Sequence, residues 1–240
     1  MNRPNAFIKI PGTPEGVPAI QRCLAEGINI NITLLFSLEA HQQVMEAHLA
    51  ALEERARNGQ PLATVASVAS FFLSRIDTMV DKKLDAMKSS EASTLRGRAA
   101  IASAKIAYQN WLDTYKGPRW ESLRSLGARP QKPLWASTST KDPAYPDVKY
   151  VETLIGPDSI NTLPEQTIEA FRDHGKVTGD TILENVDEER DALTRLERLG
   201  ISMKAVTDQL ETDGLKLFAD SYDDLIKSLE QKRDALKVGA

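Results

Sequence analysis

The chain has 240 residues, with 30 Lys and Arg against 34 Asp and Glu, a formal net charge of −4 and one cysteine, Cys23. That length suits one large domain or two small ones, and α/β barrels commonly fill it as one. The mild acidity gives no electrostatic case for nucleic acid or an anionic membrane, the lone cysteine precludes an intrachain disulfide and is compatible with a reducing compartment, and no apolar run approaches a membrane span. Met1-Asn2-Arg3-Pro4-Asn5 is no signal peptide, so the expectation is a soluble, cytoplasmic protein with no nucleic-acid or membrane partner.

Ala6-Phe7-Ile8-Lys9-Ile10-Pro11-Gly12-Thr13 reads as a short strand that ends at a Pro-Gly turn. Side chains alternate along it, so Phe7, Lys9 and Pro11 face one way and Ile8 and Ile10 the other. A lysine inside a buried strand is expensive unless paired or uncharged, and an uncharged amine attacks carbonyls to form a Schiff base. The competing reading is an edge-strand or snorkelling lysine. Thr13 as N-cap and Pro14 at the first helical position start a helix that Gly27 stops, with Cys23 as a small packed residue within it.

The next strand, residues 28–36, places Ile28, Ile30, Ile32 and Leu34 on one face and Asn29, Asn31 and Thr33 on the other. A solvent-exposed antiparallel strand gives the same pattern. Between two helical segments, a parallel barrel strand fits better, with its polar face in the barrel mouth beside Lys9. Ser37-Leu38-Glu39 caps a helix to about Asn58-Gly59; His41 and His48, seven apart on it, read as solvated rather than metal-binding. Residues 62–70 read as a strand and residues 71–88 as a helix, with Ser70 and Arg75 at their junction. A helix N-terminus with an arginine favours a phosphate; the alternative pairs Arg75 with Asp77 or Asp81 on the helix surface.

Residues 93–115 read as one long helix and 120–126 as a short one. A strand opens in residues 130–140, and Tyr150 to Ile155 reads as a last short strand. Thr162-Leu163-Pro164-Glu165 has capping-box spacing for a helix that ends near His174, which reads as a dipole or solvent residue. Helices over about 186–199 and 214–237 close the chain, with no domain boundary. Strands marked by Lys9, Asn31, Ser67, Ser137 and Thr153 make five, and five cannot close an eightfold barrel.

Ile8-Lys9-Ile10-Pro11-Gly12-Thr13-Pro14-Glu15-Gly16 resembles the active-site lysine motif of transaldolases. Gly27-Ile28-Asn29-Ile30-Asn31-Ile32-Thr33-Leu34-Leu35-Phe36-Ser37 resembles the strand that follows it, and the pair at this spacing is specific. The likeness continues through Leu134-Trp135-Ala136-Ser137-Thr138 to Asp213-Gly214-Leu215-Lys216-Leu217-Phe218, and is similar to the branch also found fused to glucose-6-phosphate isomerase. No isomerase domain is expected here.

The resemblance implies an α/β fold of the (β/α)8 TIM-barrel family, here an incomplete barrel. Residues 1–240 would be its C-terminal part, strands four to eight. The family's first three strands carry an aspartate general acid/base, an asparagine and a glutamate, and these are expected to be missing. The resemblance further implies transfer of a dihydroxyacetone unit between phosphosugars such as fructose 6-phosphate and sedoheptulose 7-phosphate, in the non-oxidative pentose phosphate pathway. Lys9 matches the Schiff-base lysine, Thr33 the threonine that orients catalytic water, and Asn31 a hydroxyl-binding asparagine; the structural alternative has Asn31 and Thr33 hydrogen-bonded to one another in a barrel layer.

Ser70, Arg75 and Ser137 match substrate-binding positions, the Ser70-to-Arg75 segment more loosely. Where many transaldolases have a second phosphate-binding arginine, this chain has Lys141, a point cation in a loop. No cofactor or metal is implied, and a homodimer is possible. Two alternatives stand: a Schiff-base aldolase that releases free dihydroxyacetone, and an inactive fragment that only binds phosphosugar or associates with other chains.

Overall fold

A computed structural model describes residues 3–238. Strands β1 (Ile8–Pro11), β2 (Ile30–Leu35), β3 (Ser67–Phe72), β4 (Lys132–Ala136) and β5 (Ile160–Asn161) pair in parallel, in the order β1-β2-β3-β4-β5. Between them lie helices α1 (Gly16–Ala25), α2 (Leu38–Arg57), α3 (Ser74–Met87), α4 (Ser90–Leu95), α5 (Ala99–Thr114), α6 (Pro118–Ser125) and α7 (Lys149–Glu152). Helices α8 (Glu165–His174), α9 (Val186–Arg198) and α10 (Met203–Val238) follow β5. A strand order that never reverses, with right-handed crossovers, sends every connecting helix to one face. That is the arrangement of a barrel segment rather than of a doubly wound sheet, and it is consistent with the incomplete TIM-barrel fold.

The helix-facing side of the sheet is apolar and dry: Ile30, Ile32, Ala69, Phe71 and Trp135 are fully buried. The opposite, concave side is polar and partly open. By register, Lys9 pairs with Asn31, Pro11 with Thr33, and Asn31 with Val68, so these side chains share that concave side. The first helix begins at Gly16 with Glu15 as N-cap, two residues later than the expected Thr13 cap; Thr13 forms the turn before it, its hydroxyl accepting from the Gly16 amide at 3.1 Å and its carbonyl from Val17. Gly16 itself is required, because a Cβ there would collide with the Pro11 carbonyl. Ser37 caps α2, its hydroxyl accepting from the Ala40 amide at 3.0 Å.

Several expectations are corrected. The fifth strand is Ile160–Asn161, not residues 150–155; the latter stretch contributes α7, where the Tyr150 hydroxyl donates to buried Asp77 at 2.6 Å. That buried bond, together with the buried side chain of Val151, outweighs the strand propensity of Tyr150-Val151. The helix read over 93–115 is two, α4 and α5, split at Arg96-Gly97, where Gly97 has φ +69°. Residues 62–65 form a turn, and β3 begins only at Ser67. No capping box forms at α8, because the Thr162 hydroxyl donates to the Trp135 carbonyl instead.

The last helix begins at Met203, so Gly214 lies inside it rather than at its start. An interior glycine costs a helix about 1 kcal/mol. Here it permits close approach, since a Cβ on Gly214 would lie 3.0 Å from Leu34 Cδ2. Leu34 does not follow the alternation: a register shift between Ile32 and Leu35, with Leu34 at φ 60°, turns it toward α10 and gives Leu35 the helix-facing place. His41 and His48 are buried, not solvated. They belong to the stripe His41, Val44, Met45, His48, Leu52 that α2 presses onto the core.

Candidate active site

Beta-strand periodicity sets Lys9, Asn31 and Thr33 on the concave side, and the next strand adds Ser70. The Ser70 hydroxyl donates to Asn31 Oδ1 at 2.8 Å. This leaves the Asn31 amide nitrogen without a hydrogen bond among the described residues. Asn31 and Thr33 do not bond to each other. Thr33 is buried, and its Oγ1 has no hydrogen-bond partner among the described residues. Asn29, of the same strand parity, does something else: it donates to the Pro4 carbonyl at 3.0 Å and accepts from the Ala66 amide at 2.8 Å, stapling the opposite end of the sheet.

Lys9 is exposed, because β1 pairs with β2 alone among the described residues. It forms no ion pair or hydrogen bond within the described residues. Its nearest distinctive neighbour is Phe218 of α10, the Nζ lying 6.0 Å from the ring centroid. Sequence reasoning gave Phe218 no role; Gly214, four residues earlier on α10, was the available signal for a helix that comes down onto β2.

Arg75, second residue of α3, stands at the carboxyl end of β3, half-buried and 5.6 Å from the Phe72 ring. It pairs with neither Asp77 nor Asp81. Asp77 accepts from the Ala100 amide at 2.8 Å and from Tyr150, and meets the Lys149 ammonium at 3.1 Å. Asp81 accepts from the Gly97 amide at 2.8 Å and from the Tyr145 hydroxyl at 2.6 Å. Burial pushes the Asp81 carboxyl above its ordinary range against the pull of these donors, and burial also raises both tyrosines. These two carboxylates fix α3 from its far side and leave the guanidinium unpaired.

Ser137 follows β4 in a left-handed conformation, φ 57°, that non-glycine residues seldom adopt. Its carbonyl accepts from the Ser74 amide at 3.0 Å and its hydroxyl lies 2.8 Å from Ser74 Oγ, which locks it to the start of α3. Lys141 donates to Ser139 at 2.9 Å and lines, with Arg75, a cavity of about 760 Å³ between α3 and α10. Across the sheet the side chains therefore run Lys9, Asn31 and Ser70 within their strands, with Arg75 beyond the carboxyl end of β3 and Ser137 beyond that of β4, against the start of α3. Among the described residues no cluster of His, Cys, Asp or Glu could hold a metal ion, and no helix is long and apolar enough to cross a membrane.

Residues 1–229 match the family model described as Transaldolase/Fructose-6-phosphate aldolase. The chain is 47% identical over 232 residues to a transaldolase of Parafrankia sp. (strain EAN1pec) and, over the same length, to one of Thermobifida fusca (strain YX); each alignment covers 97% of this chain and 63% of the relative. A "Transaldolase 2" of Streptomyces coelicolor is 46% identical over 230 residues, 96% of this chain and 62% of that protein. The chain thus spans a little under two thirds of the length of these relatives. With the family model matched across nearly its whole length, the chain belongs to the transaldolase/fructose-6-phosphate aldolase family.

Proposed function

We propose that the chain carries the Schiff-base chemistry of a transaldolase, moving a dihydroxyacetone unit from a ketose phosphate to an aldose phosphate. The observation that supports this best is the pairing of Lys9 with Asn31 in the sheet, with Ser70 hydrogen-bonded to Asn31 at the next strand. The Lys9 amine adds to the ketose C2 carbonyl and water leaves, giving an iminium. Loss of the C4 hydroxyl proton then breaks the C3–C4 bond, and the electron pair passes into the iminium to form an enamine while the aldose phosphate departs. The enamine carbon attacks the acceptor aldehyde, whose oxygen takes up a proton, and water hydrolyses the new iminium.

In this scheme Asn31 binds a substrate hydroxyl through its free amide N–H. Thr33 offers a buried hydroxyl with no protein partner, which is what a residue that orients water requires. Arg75 takes the phosphate end, Ser70 serves substrate binding by orienting Asn31, Ser137 frames the phosphate end, and Lys141 adds a second cation. The lysine does the covalent chemistry, so the reading calls for no metal or organic cofactor. Phosphosugar exchange of the fructose 6-phosphate and sedoheptulose 7-phosphate type, in the cytoplasm, is the corresponding role.

A second reading is favoured by the family description, which joins transfer with fructose-6-phosphate aldolase. In it, the enamine is protonated and hydrolysed to free dihydroxyacetone. Incubation with fructose 6-phosphate and borohydride tests what both readings share: a reduced adduct located by mass spectrometry on the Lys9 peptide is expected. A folded sample that traps nothing there would overturn the proposal. Adding an acceptor aldose phosphate then separates transfer from release.

A further inference from the structure

Helix α3 has two unlike faces. Asp77, Asp81 and Asp85 lie on one, four residues apart, and their charges are occupied: Asp77 meets Lys149, Asp81 accepts from Gly97 and Tyr145, and Asp85 pairs with Arg96 at 3.0 Å. The other face carries Arg75 and Lys83, with Lys82 at the boundary where it also borders the acidic pocket of Asp77, Asp81 and Asp85, and it opens into the cavity of about 760 Å³ whose far wall is Gln209 and Leu210 of α10. Lys141 closes one end. Among the described residues no carboxylate lines this cavity. Of the acidic residues of α10, Asp208 pairs with Lys204 at 2.6 Å, and Asp213 accepts from the cavity-lining Gln209 at 2.8 Å.

Arg75, Lys82 and Lys83 have no ion pair among the described residues, and Lys141 bonds only to Ser139. Four cations that form no ion pair among the described residues line one cavity in a chain whose net charge is −4, although Lys82 and Lys141 also border the neighbouring pocket that holds Asp77, Asp81, Asp85 and Asp142. Their mutual repulsion is relieved by an anion. The cavity is too large for one phosphate, and Lys82 lies two helical turns, about 10 Å, beyond Arg75 along α3. Lysine side chains are long enough to converge across that distance on a run of adjacent phosphates. Lys9, Asn31 and Ser70 are not part of the lining, so the cavity is separate from the concave face. The two share Arg75 and Lys141.

We propose that this cavity binds a polyphosphate group, and that its occupant competes with the phosphosugar for Arg75. The competition rests on the phosphate role proposed above for Arg75; the binding itself does not. The polyphosphate could be free or carried by an organic body such as a nucleoside, for which Met79 and Leu210 supply an apolar wall.

The test is calorimetric titration of the 240-residue chain with tripolyphosphate at low ionic strength, beside a K82A/K83A double variant. Both lysines are exposed helix residues, and alanine preserves helix propensity, so the variant keeps the fold. Loss of two charge-assisted contacts should weaken binding roughly tenfold or more. Borohydride trapping of fructose 6-phosphate at Lys9 should be unchanged in that variant, and in the unmodified chain tripolyphosphate should suppress it. Absence of binding, or equal binding by K82A/K83A, overturns the proposal; binding without suppression overturns the competition. If R75A leaves trapping unaffected while K82A/K83A abolishes tripolyphosphate binding, the phosphosugar role of Arg75 fails and the polyphosphate cavity stands. A parallel titration with ATP distinguishes the sources, since binding tighter than tripolyphosphate marks a nucleotide and equal binding a bare polyphosphate.

Discussion

The Ser70 hydroxyl and Asn31 Oδ1 lie 2.8 Å apart across the β2–β3 ladder, the serine donating. This one bond decides which end of the Asn31 amide is presented to a ligand. With Oδ1 engaged, the N–H groups face outward and can donate to a substrate hydroxyl; with Oδ1 free, the amide could turn over and offer an acceptor instead.

Ser70→Ala should therefore slow trapping of fructose 6-phosphate at Lys9 by roughly fivefold, the worth of one neutral hydrogen bond. Asn31→Ala should slow it further, and the double variant should be no worse than Asn31→Ala alone, because Ser70 acts through Asn31. Rates of borohydride trapping at saturating sugar measure this. Fully additive losses would show that Ser70 contacts the ligand independently.

Arg75 stands free at the carboxyl end of β3 because Lys149, Tyr150 and Tyr145 have taken up the carboxylates of α3. Arg75→Ala should raise the fructose 6-phosphate concentration for half-maximal trapping by roughly tenfold or more, while the maximal extent of trapping stays the same. Dihydroxyacetone, which has no phosphate, should be trapped equally by both proteins. Equal sensitivity of the two sugars would assign Arg75 to the fold and not to phosphate.

Much of this site is legible in the sequence because a strand has a period of two. Once residues 28–36 are read as a strand, Asn31 and Thr33 must share a face, and the Lys9 motif gives the neighbouring strand. The junction of Ser70 and Arg75 follows from the place where alternation gives way to helical spacing. What depends on distant contacts is not legible. The two-residue strand Ile160–Asn161 has no period to detect, while Tyr150-Val151 has strand-like composition but is held in a helical turn by buried Asp77. The bulge at Leu34 answers to Gly214, 180 residues away along the chain by subtraction of the two positions. The burial of His41 and His48 had a signal: Val44, Met45 and Leu52 complete an apolar stripe through them, and the stripe outweighs the polarity of the two rings.

Those histidines make stability pH-dependent. Burial pushes His41 down to about 4 and His48 to about 3, from an ordinary value near 6.5. The Tyr115 hydroxyl, kept protonated by its own burial, lies 2.9 Å from His48 Nδ1, a hydrogen bond that a neutral ring can make in either tautomer. Because the folded state holds both rings neutral, the unfolded chain binds protons that the folded one does not as pH falls below 6.5. Stability is therefore fully present above that pH and is lost on acidification. Between pH 8 and pH 5 each histidine should cost about 2 kcal/mol. Urea midpoints across this range should fall steeply with acid, and His41→Leu, which also removes two unpartnered buried nitrogens beside Phe71, should flatten the fall. An unchanged slope in His41→Leu would mean that carboxylates, not this ring, set the acid limit.

The last prediction separates the two halves of the chemistry. Lys9 can form an iminium alone, but cleavage of C3–C4 needs a base for the C4 hydroxyl, and the return reaction needs an acid. Among the described residues no carboxylate or histidine is hydrogen-bonded or ion-paired to Lys9; it pairs across the sheet with Asn31, which in turn holds Ser70, and its Nζ lies 6.0 Å from the Phe218 ring. None of these is an acid or base near neutral pH. General acid/base assistance is typically worth about a hundred- to ten-thousand-fold, so turnover by the 240-residue chain should be slower than that of the relatives by about this factor. Adduct formation at Lys9 should survive. Lys9→Arg should abolish the adduct while leaving thermal stability near that of the unmodified chain, since Lys9 is exposed and makes no ion pair among the described residues. Phe218→Ala should lower the trapping rate more than the stability, because the ring is half-exposed and lies over the ammonium. A coupled assay for released glyceraldehyde 3-phosphate, run beside the borohydride assay on the same folded sample, decides the matter. Adduct with strongly impaired turnover is the expected result, and full turnover would mean that a group on this chain not in contact with Lys9 supplies the proton transfer.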